Sequence, residues 1–482
     1  MSSISHHDRC VSVREFSIYL GRSQSGDART SPGRSVLILG PSRSGKTSAF
    51  IIPNLLMSDT AVVTTSTKGD VVAALAPARR DVPQLLYDPS GTLPDIAGVT
   101  KIGFSILDAA RTWDGALNTA RSLAETSRQL RGGRSEDHWD ERAGALIATM
   151  THSSALRGDS MHTFALAVEA RRGEEHFEFL RHHYGDSHHS VAMMHGLLTT
   201  DERELSGIWS STSGLIAGLR TDAARQLESR PRVDMELALR ERSHIHIVSP
   251  SRHQALSAPL VVGLIESAVQ RTYDDPTQSH RLLLALDELA NVAPLPGLAG
   301  IVSEGGGQGV TTLACLQDLS QARLRWPVSG DAFLSLFPTT VVLPGIADRQ
   351  TLQLISDLSG RRREEVAAWN TSPKGRMQSI SWSRPHETVM SIAQVANGRR
   401  GFGLGIDETN ALRWIALTPA HRDPRFRHYL ERERSSRLRA PKVAPCAHAS
   451  TRCRRVIMRR DSRVAPRECS STKRPLSGTT CV

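Results

Sequence analysis

Val36-Leu-Ile-Leu-Gly40-Pro41-Ser42-Arg43-Ser44-Gly45-Lys46-Thr47-Ser48 decides the fold. Four apolar residues read as a buried strand, and Lys46–Met57 reads as the helix that follows. Between them lies a complete G-x-x-x-x-G-K-[ST] pattern. Glycines let the backbone curl until successive N–H groups point inward at a phosphate, and the helix N-terminus adds positive potential. Lys46 then reaches the β/γ-phosphates and the Thr47 hydroxyl sits on Mg²⁺. The expected nucleotide contacts are Gly40, Ser42, Arg43, Ser44, Gly45, Lys46, Thr47 and Ser48. The alternative is a plain glycine turn between strand and helix.

Outward from this loop the chain alternates short apolar runs with helical stretches. Ala61–Thr65, Gln84–Tyr87, His244–Val248, Leu282–Leu286, Val310–Ala314 and Thr339–Leu343 read as strands, with helices over Asp70–Ala78, Ala258–Arg271 and Arg349–Leu358. Such alternation signals a parallel sheet with crossover helices. After Asp108 the pattern turns helical for about 130 residues, as at Leu205, Ile208, Trp209, Thr212, Leu215, Ile216 and Leu219. The expected fold is α/β, a phosphate-loop NTPase with a mostly parallel sheet, interrupted by an all-α insertion domain. Gly401–Ile406 and Leu412–Leu417 read as an antiparallel addition. The divisions expected are 1–110 and 236–432 for the two parts of the nucleotide-binding domain, 111–235 for the insertion, and 433–482 for a basic disordered tail.

Two further strand ends carry chemistry. Leu282–Leu286 runs into Asp287 and Glu288, which a parallel sheet places at the carboxyl edge where ligands bind. Alone, the pair also fits a strand that ends at a solvated edge. Beside the phosphate loop it points to ATP hydrolysis, with Asp287 holding Mg²⁺ and Glu288 polarising the attacking water. Gln317, just past Val310–Ala314, can contact a γ-phosphate and that water, or cap a helix. Lys46, Glu288 and Gln317 are the catalytic candidates; Thr47 and Asp287 are the metal candidates; ATP and Mg²⁺ are the cofactors.

The chain has 482 residues, 39% hydrophobic and 23% charged, which excludes disorder throughout and a small disulfide scaffold. Net charge is +11, yet residues 433–482 hold eleven Arg and two Lys against Glu433, Asp461 and Glu468. The remainder is nearly neutral, so bulk charge does not mark the folded part as a nucleic-acid binder. No apolar run approaches the roughly 18 residues that cross a bilayer, and the N-terminus lacks the pattern of a secretory signal. The expected location is therefore cytoplasmic. Cys10 and Cys315 stand apart, while Cys446, Cys453, Cys469 and Cys481 sit in the tail near His448 without the close pairing that zinc prefers. His182, His183, His188, His189 and His195 lack interleaved acids or cysteines and read as a solvated helix end. Thr67-Lys68-Gly69-Asp70 fits either a nucleotide or subunit contact, or a helix start with an acid in its first turn.

Taken together, several motifs resemble one family, the coupling ATPases of conjugation and type IV secretion, within the RecA-like hexameric DNA translocases. They are Gly40–Thr47 with Ile51-Ile-Pro-Asn54; Val62 through Asp70; Tyr87-Asp88-Pro89; and His138-Trp139-Asp140 with Ala143. Asp287-Glu288-Leu-Ala-Asn291-Val-Ala-Pro294-Leu-Pro296, Ser303–Gly309 and Leu316-Gln317-Asp318-Leu-Ser320-Gln321 follow in order. The likeness spans roughly residues 30–430 and is closest to the Gram-positive, actinobacterial type. It implies a RecA-like core, six subunits in a ring, DNA in the central channel, and relaxase, relaxosome and type IV secretion channel proteins as partners at the inner face of the cell membrane. Three departures stand out: no pair of N-terminal membrane helices, no Arg in the turn Gly305-Gly306-Gly307-Gln308, and the basic tail. Arg323 or Arg325 are candidate substitutes for the missing Arg. An ATP-gated receptor for secreted proteins, or an inactive truncated remnant, are the alternative functions.

Overall fold

The computed structural model describes residues 16–131, 137–277, 279–327, 329–363, 366–371, 377–383 and 386–437. Cys10, the four tail cysteines, His448 and the basic segment beyond 437 lie outside the described residues. A hairpin of β1 (Tyr19–Ser23) and β2 (Gly26–Arg29) precedes β3 (Val36–Leu39). A wide helical turn, Thr47–Ile51, leads into α1 (Ile52–Met57), then β4 (Ala61–Ser66), α2 (Asp70–Ala78), β5 (Gln84–Tyr87) and β6 (Thr100–Lys101). The chain is then helical from α3 (Trp113–Leu130) and α4 (Asp137–Arg157) through α5 (Met161–Glu169), α6 (Gly173–Tyr184), α7 (His189–Leu198), α8 (Glu202–Leu215), α9 (Asp222–Glu228) and α10 (Met235–Arg240). Alternation resumes with β7 (His244–Val248), α11 (Gln254–Tyr273), β8 (Leu282–Leu286), α12 (Leu289–Val292), α13 (Leu298–Glu304), β9 (Val310–Leu316) and α14 (Leu319–Arg325). After α15 (Phe333–Leu336) come β10 (Thr339–Val342) and α16 (Arg349–Leu358). The short ribbons β11 (Arg361–Arg363) with β14 (His386–Thr388), and β12 (Val366–Thr371) with β13 (Met377–Ser383), precede α17 (Ile392–Asn397), β15 (Phe402–Ile406), β16 (Leu412–Ala416) and α18 (Pro424–Arg437).

Twelve strands form one sheet in the order β2-β1-β16-β15-β10-β3-β9-β8-β4-β7-β5-β6. From β10 to β6 every pairing is parallel, and the four strands at the other side are antiparallel. The central strands are apolar throughout because both faces are covered. Val36 and Ile38 pack with Phe50, Leu55, Leu283 and Leu313 on one face, while Leu37 and Leu39 pack with Leu284, Leu286 and Ala314 on the other. That second face continues into the core of the helical region. Caps set the helix starts: the Thr112 side chain accepts from Gly115 N–H ahead of α3, and Asp201 from Arg203 N–H ahead of α8. The hairpin at the sheet edge is latched by Arg425, whose guanidinium bonds Asp27 (2.8 Å), Asp423 (2.9 Å) and the Tyr19 hydroxyl (3.1 Å). Among the described residues no helix is long and apolar enough to cross a membrane.

Among the buried histidines, three have their pKa pushed down furthest, which keeps the rings neutral. His246 on β7 pairs through Nε2 with Gln84 Oε1 (2.8 Å), and burial pushes its pKa down to about 3. His176 on α6 is pushed down to about 4 by burial, with Arg157 adding to it, and His244 lies well below its usual range for the same first reason. Each folded-state pKa is below the unfolded value near 6.5, so the unfolded chain binds more protons in acid. Their stabilisation is complete above pH 6.5 and is withdrawn as pH falls toward 3–4, at up to about 1.4 kcal/mol per histidine per pH unit. Thermal unfolding is therefore expected to shift to lower temperature between pH 7 and pH 5. An unchanged midpoint over that window would show that these rings are not buried neutral.

Candidate active site

The carboxyl edge of the parallel strands brings three loops together. β9 lies between β3 and β8, so Gln317 emerges between the loop after β3 and the acids after β8. The strand ends are locked in register: Gly40 N–H donates to Leu316 O (3.1 Å) and Leu343 N–H to Leu39 O (2.7 Å).

Within the loop, Arg43 (φ 64°) and Gly45 (φ 97°) adopt left-handed backbone. Both are needed for the inward curl, and Gly45 takes that conformation at no steric cost. Gly40 has a different constraint, since a Cβ there would lie 2.8 Å from both Leu343 Cβ and Ser44 Oγ. The Lys46 side chain is 5% exposed and donates from Nζ to the carbonyls of Gly40 (2.5 Å) and Pro41 (3.0 Å). It thus lies folded across the loop it belongs to. Ser44 Oγ is buried without a hydrogen-bond partner, and Ser48 Oγ donates to Gly45 O (3.2 Å). Ser42 and Arg43 are exposed at the loop tip.

The Thr47 hydroxyl donates to Asp287 Oδ2 at 2.5 Å, joining residues 240 positions apart. Burial pushes the Asp287 carboxyl up, and the neighbouring Glu288 adds to this, while the Thr47 hydrogen bond and Lys46 oppose it. A carboxylate held in this way gains from a cation placed beside it. Thr47 and Asp287 are therefore the side chains that could hold Mg²⁺, and the donor set, one hydroxyl and one carboxylate, suits that ion. Glu288 stands in left-handed conformation (φ 55°), unusual for a non-glycine residue and a form of strain that collects at functional sites. Its backbone carbonyl accepts from Asn291 and Val292 N–H (2.9 Å each), starting α12, and its side chain is left half-exposed. Gln317, half-buried, donates its N–H to Gln321 Oε1 (2.9 Å). Two residues that sequence reasoning missed support the acids. Thr65 Oγ1 donates to the Asp287 carbonyl (2.7 Å), and Thr64 Oγ1 to Ala285 O (3.0 Å). Their only signal was a Thr-Thr pair at the end of a strand, where hydroxyls can reach the next strand's backbone.

Other candidates fall elsewhere. Asp70 accepts from its own neighbour, Val71 N–H (2.9 Å), at the start of α2, and Lys68 is exposed. His182, His183, His189 and His195 are exposed, while His188 caps α7 and stacks on Tyr184 (4.0 Å between rings). Among the described residues no group of three or more His, Cys, Asp or Glu is placed to hold a metal ion. Arg323 pairs with Asp348 (2.5 Å), and Arg325 bonds carbonyls of its own chain, so both guanidinium groups are engaged within the chain.

Comparison with known proteins agrees with this architecture. Residues 281–397 match a family model described as the TraM recognition site of TraD and TraG. A curated relative, the conjugal transfer protein TraG of Escherichia coli, is 23% identical over 340 residues, covering 64% of this chain and 52% of that protein. The chain thus spans about half the length of that relative. Among solved structures, the bacterial conjugative coupling protein TrwB in its unbound form aligns with a TM-score of 0.61 at 18% identity, covering 81% of this chain and 86% of that one. TrwB in complex with ADP and Mg²⁺ aligns with a TM-score of 0.57 at 17% identity, covering 80% and 85%. The fold is the α/β, RecA-type ATPase fold with a helical region, as the motifs imply.

Proposed function

We propose that the chain is a Mg²⁺-dependent ATPase that couples DNA, or a relaxase–DNA substrate, to a type IV secretion channel in conjugation. The observation that carries this reading is the convergence of Lys46, Thr47, Asp287, Glu288 and Gln317 at one sheet edge, with Thr47 and Asp287 already joined at 2.5 Å. Lys46 and the N–H groups of Gly45–Ser48 would bind and orient the triphosphate. Thr47 and Asp287 would hold Mg²⁺, which would supply charge neutralisation on the phosphates. Glu288 orients a water and takes its proton, and Gln317 contacts that water from the strand between. The relatives' names support conjugation, and the TraM-recognition likeness supports a relaxosome partner. The motif pattern supports a homo-hexamer of the actinobacterial type, working at the inner face of the cell membrane and moving DNA through its ring.

The test is steady-state ATP hydrolysis by the full chain with and without single- and double-stranded DNA, at low and moderate salt. Turnover several-fold higher with DNA, persisting at moderate salt, is expected; the salt condition separates a channel effect from simple attraction of DNA to the basic tail. Turnover indifferent to DNA would instead favour an ATP-gated receptor for protein cargo.

A further inference from the structure

The guanidinium of Arg325, at the end of α14, meets two distant parts of the chain at once. Its Nε donates to Ala290 O (2.9 Å), inside the single helical turn that follows Glu288. Its Nη1 donates to Gln129 O (3.1 Å) and Leu130 O (3.3 Å), the last carbonyls of the 18-residue helix α3. Helix ends leave such carbonyls without intrahelical partners, and a cation there also meets the negative end of the helix dipole. The other end of α14 starts at Asp318, directly after Gln317. One short helix therefore has the Gln317 loop at its front and a fork at its back that reaches both the Glu288 turn and the helical region.

The surroundings make this junction specific. Trp326 Nε1 donates to Leu295 O (2.8 Å). The Gln129 amide, oriented to satisfy both neighbours, donates to Pro294 O (2.6 Å) and accepts from Trp326 Nε1 (3.2 Å). Leu319 N–H donates to Thr351 Oγ1 (3.0 Å), and Asp348, which caps α16, pairs with Arg323. α14 is thus fixed to the sheet side, and Arg325, together with the Gln129 amide, joins that fixed body to α3. Glu288 sits two residues from the carbonyl Arg325 holds, in a strained conformation that its surroundings must maintain.

We propose that Arg325 is a positioning residue that ties the placement of Glu288 to the seating of α3, so that whatever shifts the helical region alters turnover. This rests on the ATPase reading of the site. Arg325 touches no residue of the loop Gly40–Ser48 among its hydrogen bonds, so nucleotide affinity is left alone.

The test measures kcat and KM for ATP in the full chain carrying Arg325→Ala or Arg325→Lys, with hydrogen exchange of residues 126–131 in the presence and absence of ATP and Mg²⁺. Lysine keeps the charge but not the planar fork, so it cannot serve both sets of carbonyls. Misplacement of a catalytic group by a fraction of an ångström supports an expected kcat loss of about tenfold in the alanine variant and about threefold in the lysine variant. KM should stay within about twofold, the split that marks loss of a transition-state interaction rather than of binding. Wild-type exchange at 126–131 should slow on adding ATP and Mg²⁺, and this response should vanish in both variants. A variant that keeps wild-type kcat and the exchange response overturns the inference, as does a KM that rises together with the fall in kcat. If the alanine variant fails to fold, the lysine variant decides on the same criteria. A wild-type chain that binds no nucleotide overturns the ATPase reading and this inference together, whereas active wild type with unaffected variants overturns the inference alone.

Discussion

Glu288→Gln is expected to lower ATP turnover by about 10²- to 10⁴-fold while nucleotide binding stays near the wild-type level, because removing a positioned general base costs that much. The substitution is nearly isosteric and keeps the left-handed backbone, the carbonyl that starts α12 and the contact with Asn291 side-chain nitrogen (3.5 Å) within reach of the new amide oxygen. What it removes is the ability to take a proton from water. It also removes the negative charge that helps push the Asp287 carboxyl up, so Asp287 ionises more readily and the metal side of the site is not weakened. Stopped turnover with retained binding of a fluorescent ADP analogue supports the assignment. Wild-type turnover in the variant would remove Glu288 from the chemistry.

Lys46→Ala is the second large effect, and it should act on binding as well as turnover. Lys46 carries its charge on a nearly buried stem whose Nζ is held by two carbonyls of the loop. Those carbonyls hold the ammonium folded across the loop, and a phosphate would replace them as its partner. Charge-assisted hydrogen bonds contribute about 1.5–3 kcal/mol each, so losing one or two weakens nucleotide binding by about 10- to 100-fold or more. The cost has a second source, because Gly40 and Pro41 lose their donor. Arginine is not an equivalent: its planar fork is larger, and the space around Gly40 is closed by Leu343. Titration of the alanine variant with a fluorescent nucleotide at fixed Mg²⁺ checks this, and wild-type affinity would contradict it.

The parts of this molecule legible in the sequence are those dictated by local pattern. β3 with its loop, β8 ending in Asp287 and Glu288, and β9 ahead of Gln317 all follow from apolar runs buried on both faces, and each lies where the pattern placed it. β9 runs one turn of the pleat further than its apolar run predicts, to Leu316, because Gly40 N–H pairs with that carbonyl. Lateral order was not legible: that β9 stands between β3 and β8, bringing Gln317 between loop and acids, depends on Val36 of β3 pairing with the distant Leu313 of β9 as well as on the nearer β8–β9 pairing. The edge hairpin was missed as well. Tyr19–Ser23 has a glycine at its centre and Gly26–Arg29 is polar and mostly exposed, so neither carries an alternation; β16, near the other end of the fold, and Arg425 hold them. Arg325 illustrates the same limit. The sequence offers it, with Arg323, as a candidate for the missing finger Arg, whereas its bonds to three carbonyls of α12 and α3 are visible only in the fold.

The most direct test of the central claim is phosphate release from ATP by the purified full chain in Mg²⁺, repeated after chelation with excess EDTA. Sustained release in Mg²⁺ is expected to stop on chelation and to return when Mg²⁺ is restored, since the Thr47 hydroxyl and the Asp287 carboxylate meet at the strand edge next to Lys46. Absence of release and of nucleotide binding in both conditions would contradict it.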